Sequence, residues 1–294
     1  MLSYTHCELC PRRCGVDRTK GQLGFCREPD KIFAARAAAH YWEEPVISGS
    51  YGSGAVFFSG CTLQCLFCQN GVISQENLGK EVSSAQLREV FLKLIDEGVQ
   101  NINLVTPTHF LPSILPALIP KLPVPVVYNC GGYERVETLR ELKGLVDIYL
   151  PDMKYSDAKL AAALSRAPDY VETAKAAIKE MYRQVGSAVI KDEIMQKGMI
   201  VRHLILPGCL DNTLGALDWF AETFPKGDVL FSLMSQYVPM GKAKNNPPYN
   251  RKITEEEYDA AVSYLDFLGI EAGFTQDFSA ASEEYIPDFS FEGL

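Results

Sequence analysis

Short apolar runs alternate with amphipathic segments through most of this chain. The runs are rich in β-branched and aromatic residues and occupy positions 55–60, 102–107, 124–129, 146–151, 199–206 and 228–234. The amphipathic segments have helical periodicity and occupy 84–98, 134–144, 169–186, 210–224 and 254–269. Strands this apolar are typical of a parallel sheet covered on both faces. The pattern therefore predicts an α/β fold with six βα units, in which the proline-broken stretch after His109 is the least regular helix.

Charge is distributed unevenly along the 294 residues, 47% of which are hydrophobic. The formal net charge is −9, but residues 253–294 hold eleven acidic side chains and no Lys or Arg, which leaves 28 basic against 26 acidic residues elsewhere. A nearly neutral body argues against nucleic acid as a partner, and we expect the acidic end to be a solvated face. We predict three parts: a Cys-rich N-terminal segment (1–50), a core barrel (51–270) and an acidic C-terminal tail (271–294).

The N-terminus has neither a basic leader nor an apolar core typical of a signal peptide. No apolar run approaches the roughly 18 residues that a membrane span needs. We therefore expect a cytoplasmic protein with no membrane partner. In that compartment thiols stay reduced, so clustered cysteines indicate metal binding or catalysis more often than disulfides.

Cys61, Cys65 and Cys68 follow the first predicted strand directly. In a parallel barrel, the chemistry occurs at the carboxyl ends of the strands. Thiolates are the usual ligands of iron–sulfur clusters, whereas a structural zinc site would need a fourth ligand nearby, and none follows Cys68 closely. The spacing therefore predicts three ligands for a four-iron cluster, with one iron left open for a small molecule.

A second group of cysteines precedes the barrel. Cys7, Cys10, Cys14 and Cys26 lie in a segment with too few apolar residues to form its own core. Four thiols suit a tetrahedral zinc site, whose binding energy would order the segment, and they equally suit a second iron–sulfur cluster. The spacing does not distinguish zinc from a cluster.

The motif CxxxCxxC, with the aromatic Phe67 before its last cysteine, resembles the signature of radical S-adenosylmethionine (radical SAM) enzymes. The continuation CQN, which ends at Asn70, is similar to the CHN of pyruvate formate-lyase activating enzymes. The resemblance covers about residues 54–269 and is greatest to a poorly characterised subgroup of activating-enzyme-like iron–sulfur proteins. It implies a partial (β/α)6 TIM-like barrel, in agreement with the six predicted units.

The resemblance also implies an oxidoreductase activity. The open iron of a 4Fe-4S cluster would chelate S-adenosylmethionine, and an electron from the cluster would release a 5′-deoxyadenosyl radical that abstracts hydrogen. An activating enzyme would take that hydrogen from a glycine of a glycyl radical enzyme, with flavodoxin or ferredoxin as the electron donor. Two alternatives are a radical SAM enzyme acting on a small molecule or another peptide, and a non-enzymatic electron-transfer or metal-binding protein.

Four further positions are similar to cofactor-contacting positions of the family. They are Arg202 in VRHLILPG, Asp152 and Lys154 in a DxK, and Asn129 in YNCGG. With Phe67, Asn70 and Thr106, they are the residues that the resemblance implies for S-adenosylmethionine binding. A guanidinium within an apolar strand needs an anionic partner, which is either a ligand or a structural carboxylate. For Asp152 and Lys154 the alternative is a turn with a solvated lysine.

Two family motifs are missing. The GGE that contacts the methionine amino group is replaced by residues 103–109, NLVTPTH, so hydroxyls and backbone carbonyls would bind that group, or the cofactor would lie differently. The stretch SQYVP replaces a PYH, and Tyr237 is expected to be packed while Gln236 lines the pocket.

Other polar residues have weaker signals. In extended chain, Glu43 and Glu44 would point to opposite sides. Cys209 and Cys130 are expected to be packed thiols, with a place at the barrel mouth as the alternative for Cys130.

Overall fold

The computed structural model describes residues 2–282 and 287–294. Ten strands are present in this part of the chain. They are β1 (Ile32–His40), β2 (Ser53–Phe58), β3 (Lys80–Val82), β4 (Ile102–Val105), β5 (Val126–Cys130), β6 (Ile148–Pro151), β7 (Val189–Lys191), β8 (Ile194–Leu204), β9 (Leu230–Met234) and β10 (Gly273–Thr275).

Seven strands form a continuous parallel sheet in the order β10-β9-β8-β6-β5-β4-β2. All six predicted strands are among them. Antiparallel β1 and β3 extend the β2 edge, and the short β7 pairs with β8. The predicted α/β fold class with a parallel sheet and a Cys-rich N-terminal segment is therefore confirmed.

Helices connect the strands, and the five predicted ones all form. The α-helices are α1 (Pro45–Ser48), α2 (Gly71–Ser74), α3 (Ser84–Asp96), α4 (Leu111–Ile114), α5 (Val136–Arg140), α6 (Ala158–Ser165), α7 (Tyr170–Val185), α8 (Leu210–Thr223) and α9 (Glu255–Phe267). Capping boxes start α3, with Ser83 and Gln86, and α9, with Thr254 and Glu257. Only α4 and flanking 3₁₀ turns form after His109, because the prolines there lack an amide donor.

The sheet curves into a partial barrel. His40 on β1 and Phe274 on β10 line the same cavity although their strands lie near opposite ends of the sheet. Below this cavity, α1 inserts Ile47 against apolar residues of β5, β6, β8 and β9. The lower half of the barrel is therefore a packed core, and the cavity lies above it.

Both terminal segments attach to the barrel. The buried Arg18 donates hydrogen bonds to the backbone oxygens of His109 (2.6 Å) and Pro29 (3.1 Å). Arg12 donates to those of Thr62 and Ser165, both at 2.8 Å. Two arginines thus dock the N-terminal segment through backbone carbonyls.

The predicted tail, 271–294, includes β10, and it also includes residues 283–286, which lie outside the described part of the chain. Beyond that gap, the Phe291 amide donates to Ala35 O (3.0 Å), and the Ala37 amide donates to Glu292 O (2.8 Å). These bonds cover part of the free edge of β1. No helix among the described residues is long and apolar enough to cross a membrane. The predicted boundaries at 50 and 270 stay predictions.

Candidate active site

A cavity of about 700 Å³ occupies the open half of the barrel, at the carboxyl ends of the parallel strands. It brings together every residue predicted to bind the cluster in the barrel or its cofactor. These residues are Cys61, Cys65, Phe67, Cys68, Asn70, Thr106, Asn129, Asp152, Lys154 and Arg202. Their convergence is observed, whereas their role toward a cofactor stays a prediction.

The cysteine loop, residues 59–70, joins β2 to α2. Each of its three sulfurs accepts a hydrogen bond: Cys61 from the Leu63 amide (3.3 Å), Cys65 from the Ser165 hydroxyl (3.0 Å) and Cys68 from the Ser74 hydroxyl (3.2 Å). Hydrogen bonds to sulfur are typical of thiolates that bind iron–sulfur clusters. The donor set therefore fits such a cluster.

The buried cysteines of this loop need a nearby cation to be deprotonated. Burial, followed by the neighbouring Cys65 and Cys68, raises the pKa of the Cys61 thiol to about 12. A bound metal would supply the missing positive charge. Within residues 2–282 and 287–294, no three His, Cys, Asp or Glu side chains are grouped closely enough to share one metal ion.

The N-terminal cysteines are all free thiols, and Cys7, Cys10 and Cys26 are buried. The Phe25 amide donates to the sulfur of Cys14 at 3.3 Å. Metal binding by this group stays a prediction, and so does the choice between zinc and a second cluster.

A buried ion-pair network crosses the cavity wall. Arg202 on β8 donates from Nε to Asp152 (2.9 Å), from Nη1 to Glu43 (2.9 Å) and from Nη2 to Asn129 (2.7 Å). Asp152 also pairs with Lys154 at 2.5 Å. Structural carboxylates therefore meet the guanidinium's need for an anion, and Lys154 is not the solvated lysine of the alternative.

These charges shift one another's pKa values. Burial by itself would raise the pKa of Asp152, but the Arg202 and Lys154 cations outweigh it and hold that pKa below its usual range. For Lys154, burial is likewise outweighed by Asp152 and then Cys65, which raise its pKa. Both side chains are therefore charged at neutral pH.

Glu43 and Glu44 line the same cavity, contrary to the expectation that they point to opposite sides. The segment is not an extended strand, because Glu44 is the N-cap of α1 and Pro45 begins that helix. Glu43 accepts hydrogen bonds from the Nδ2 atoms of Asn103 (3.1 Å) and Asn129 (3.0 Å). The Glu-Glu-Pro sequence at a helix start is the signal that could have predicted this geometry.

The stretch that replaces GGE contributes Thr106 to the cavity, in a left-handed conformation with φ 57°. Thr108 instead donates to Glu134 at 2.7 Å, and His109 bonds Ser59 O through Nε2 at 2.6 Å. Burial, with a smaller effect of Arg18, lowers the pKa of His109 to about 3, so it is neutral. Of this stretch, Val105 and Thr106 line the cavity, and the carboxyl group of Glu134, which is bonded to Thr108, lines it as well.

Several remaining expectations are resolved. Gln236 lines the cavity, and Tyr237 is packed, with its hydroxyl donating to Tyr249 O at 2.6 Å. Cys130 lines the cavity although it is buried, beside Glu134. Burial raises the pKa of Glu134 to about 8, against hydrogen bonds from Thr108 and Tyr128. Cys130 and Glu134 are cavity residues that the sequence patterns did not single out for binding.

Fold and site together define an α/β partial barrel with a thiol-lined cavity at the carboxyl ends of its strands. The uncharacterized protein MJ0674 of Methanocaldococcus jannaschii is 33% identical over 279 residues, which cover 91% of this chain and 76% of that protein. The chain belongs to the same protein family as MJ0674. No protein-family model matches the chain.

Two solved structures are similar to this chain at low scores. Streptococcus suis SuiB bound to S-adenosylmethionine has a TM-score of 0.48 and 14% identity, covering 76% of this chain and 50% of SuiB. Methylornithine synthase (PylB) has a TM-score of 0.47 and 12% identity, covering 73% of this chain and 68% of PylB. This chain thus spans half the length of SuiB. At TM-scores below 0.5, these similarities assign neither an activity nor a ligand.

Proposed function

We propose that the chain is a radical SAM enzyme that reductively cleaves S-adenosylmethionine. One observation carries this proposal: Cys61, Cys65 and Cys68 project hydrogen-bonded sulfurs toward a cavity that also contains a buried polar network. Three thiolates leave one iron of a four-iron cluster without a protein ligand. When bound, such a cluster supplies the electron that breaks the carbon–sulfur bond of the sulfonium.

The residues of this chain bind and orient the reactants. The Lys154 ammonium pairs with Asp152 at 2.5 Å and lines the same cavity as the cysteine loop. It is suited to a carboxylate bound at the open iron. Arg202 holds Asp152 and Asn129 in fixed positions, where they offer acceptors and donors to ribose and amino acid groups.

For the substrate, we propose a glycyl radical enzyme whose glycine loop enters the open side of the barrel, with flavodoxin or ferredoxin as the electron donor. The support is the cavity at the carboxyl ends of the strands, which lies on the open side of the barrel and can admit a peptide loop. One observation favours the second candidate, a small molecule or another peptide: the wall at Thr106 lacks the family's carboxylate. A non-enzymatic electron-transfer role does not explain why a large cavity faces the thiols.

The proposal is tested by anaerobic turnover. The chain, reconstituted with iron and sulfide, is mixed with S-adenosylmethionine and dithionite, and 5′-deoxyadenosine and methionine are quantified. We expect equal amounts of the two products and none without reductant, because one electron breaks one carbon–sulfur bond. An intact, reducible cluster that yields neither product, alone or with candidate substrates, would contradict the proposal.

The substrate is tested separately by electron paramagnetic resonance (EPR). Turnover with a candidate glycyl radical enzyme should produce a glycyl radical signal on that partner. Product formation without the signal on any such partner would favour the small-molecule or peptide substrate.

A further inference from the structure

The cavity wall contains more carboxyl groups than cations. Its carboxyl groups are those of Glu43, Glu44, Glu134 and Asp152, and its cations are Lys154 and Arg202. His40 adds no charge at neutral pH, because burial, then Arg36 and Arg202, lower its pKa to about 4. Two carboxyl groups therefore depend on other partners.

Most of these groups are satisfied within the protein. Arg202 uses all three nitrogens on Asp152, Glu43 and Asn129, and Lys154 pairs with Asp152. Glu134 accepts hydrogen bonds from the Thr108 hydroxyl (2.7 Å) and the Tyr128 hydroxyl (3.2 Å). Glu44 is the exception.

Glu44 is 8% exposed, and its Oε2 atom has no hydrogen-bond partner among the described residues. The Ser232 hydroxyl and the backbone amide of Glu44 itself are near enough to this carboxyl group to favour its charged form. Burial raises the pKa of Glu44, although Arg202 acts in the opposite direction. A buried carboxyl oxygen without a partner is costly, and that cost is recovered when a ligand supplies the partner.

A second buried acceptor without a partner lies next to Glu43. The Oδ1 atom of Asn103 is buried without a partner among the described residues, while Nδ2 of the same side chain donates to Glu43. That hydrogen bond assigns the amide orientation, because a carboxylate can only accept. Asn103 does not line the cavity, so the oxygen that calls for a donor from the cavity is Oε2 of Glu44. A donor with positive charge makes the strongest hydrogen bond to a carboxylate.

We propose that Glu44 anchors the ammonium group of a ligand bound in the cavity. This inference rests on the proposed function and names the chemistry of its ligand. The ammonium has two sources: the methionine amino group of S-adenosylmethionine, which finds no carboxylate at Thr106, or a primary amine of the substrate.

Binding measurements on the reconstituted full chain test the proposal. The variant Glu44→Gln keeps the size of the side chain and removes its charge. Glu81→Gln is the control, because Glu81 forms an exposed ion pair with Lys31 far from the cavity. The first probes are S-adenosylmethionine and its deaminated analogue, in which hydrogen replaces the amino group. The second probes are pentylamine and 1-pentanol, added to protein that holds S-adenosylmethionine.

Loss of a charge-assisted hydrogen bond lowers the binding affinity of an ammonium ligand by about tenfold or more. If the cofactor supplies the ammonium, Glu44→Gln lowers the affinity for S-adenosylmethionine by this factor and leaves the affinity for the deaminated analogue unchanged. If the substrate supplies it, S-adenosylmethionine affinity is unchanged and pentylamine affinity falls, while 1-pentanol is unaffected. Unchanged affinity for both ammonium probes would overturn the proposal.

Stability measurements separate binding from a structural role. Without ligand, Glu44→Gln should be at least as stable to urea as the wild type, because a neutral amide costs less to bury than a carboxyl group that is not fully hydrogen-bonded. A clear loss of stability would indicate a structural role and would also overturn the proposal. Every measurement here is of binding or stability. Failure of this proposal can therefore be told apart from failure of the proposed function, because the amine probes report on Glu44 even in a chain that produces no 5′-deoxyadenosine.

Discussion

Cys65→Ala is expected to abolish S-adenosylmethionine cleavage and to remove the iron–sulfur absorbance of the cluster in the cavity. Cys65 is one of three sulfurs in the cysteine loop, and its loss leaves two ligands for a cluster that needs three. Production of 5′-deoxyadenosine should fall to the level of the protein-free control. Iron content, visible absorbance and product are measured on the same anaerobic preparation.

Two further variants make this test specific. Cys209→Ala removes a thiol that contacts Tyr249 at 3.9 Å and does not line the cavity, so activity should be retained. Ser165→Ala removes the hydroxyl that donates to Cys65, and a loss of about tenfold is expected, as for other residues that support a metal ligand. If Cys65→Ala cleaved S-adenosylmethionine like the wild type, the assignment of the cluster to this loop would be wrong.

Arg202→Met is expected to lower the free energy of unfolding by about 3–5 kcal/mol at pH 7, because it leaves the buried carboxylates of Asp152 and Glu43 without their shared cation. Lys31→Met is the control. Its side chain is 60% exposed and pairs with Glu81, whose side chain is 51% exposed, so a loss of about 1 kcal/mol or less is expected. Urea unfolding measures both.

The pH dependence provides a second criterion. The folded-state pKa of Asp152 lies below its unfolded value, so this group stabilises the fold above the unfolded pKa, and the contribution is lost as pH falls through the folded pKa. Without Arg202, Lys154 alone among these cations opposes the effect of burial, so the folded-state pKa of Asp152 rises and that contribution shrinks. The difference between wild type and Arg202→Met should therefore be largest at pH 7 and smaller near about pH 4. If the difference in unfolding free energy between the two proteins stays constant with pH, Arg202 does not hold the pKa of Asp152 low.

The repeated part of the fold could be predicted because its strands are buried on both faces, so each has a continuous apolar sequence. Strand β1 was not predicted because IFAARAAAH is alanine-rich and carries little strand signal. Helix α6 was not predicted because its eight residues, AKLAAALS, are too few for a distinct periodicity. Short helices and strands built from small side chains are thus difficult to predict from hydrophobic patterns.

Some residues of the candidate site could be predicted from the sequence and others could not. Cys61, Asp152 and Arg202 could be predicted because they occupy the ends or interiors of recognisable strands. The Glu-Glu-Pro sequence predicts a helix start at Glu43 and Glu44, but it does not predict their place in the site, because only folding brings the segment before β2 into the barrel. Their partners lie at sequence separations that local patterns cannot detect.

The central claim is that the cysteine loop holds a cluster with an iron open to S-adenosylmethionine. The most direct test is the EPR spectrum of the dithionite-reduced, reconstituted protein, recorded before and after S-adenosylmethionine is added. Coordination at the open iron should change the g-values of the reduced cluster in the wild type and not in Cys65→Ala. A cluster signal that S-adenosylmethionine leaves unchanged in the wild type would contradict this account.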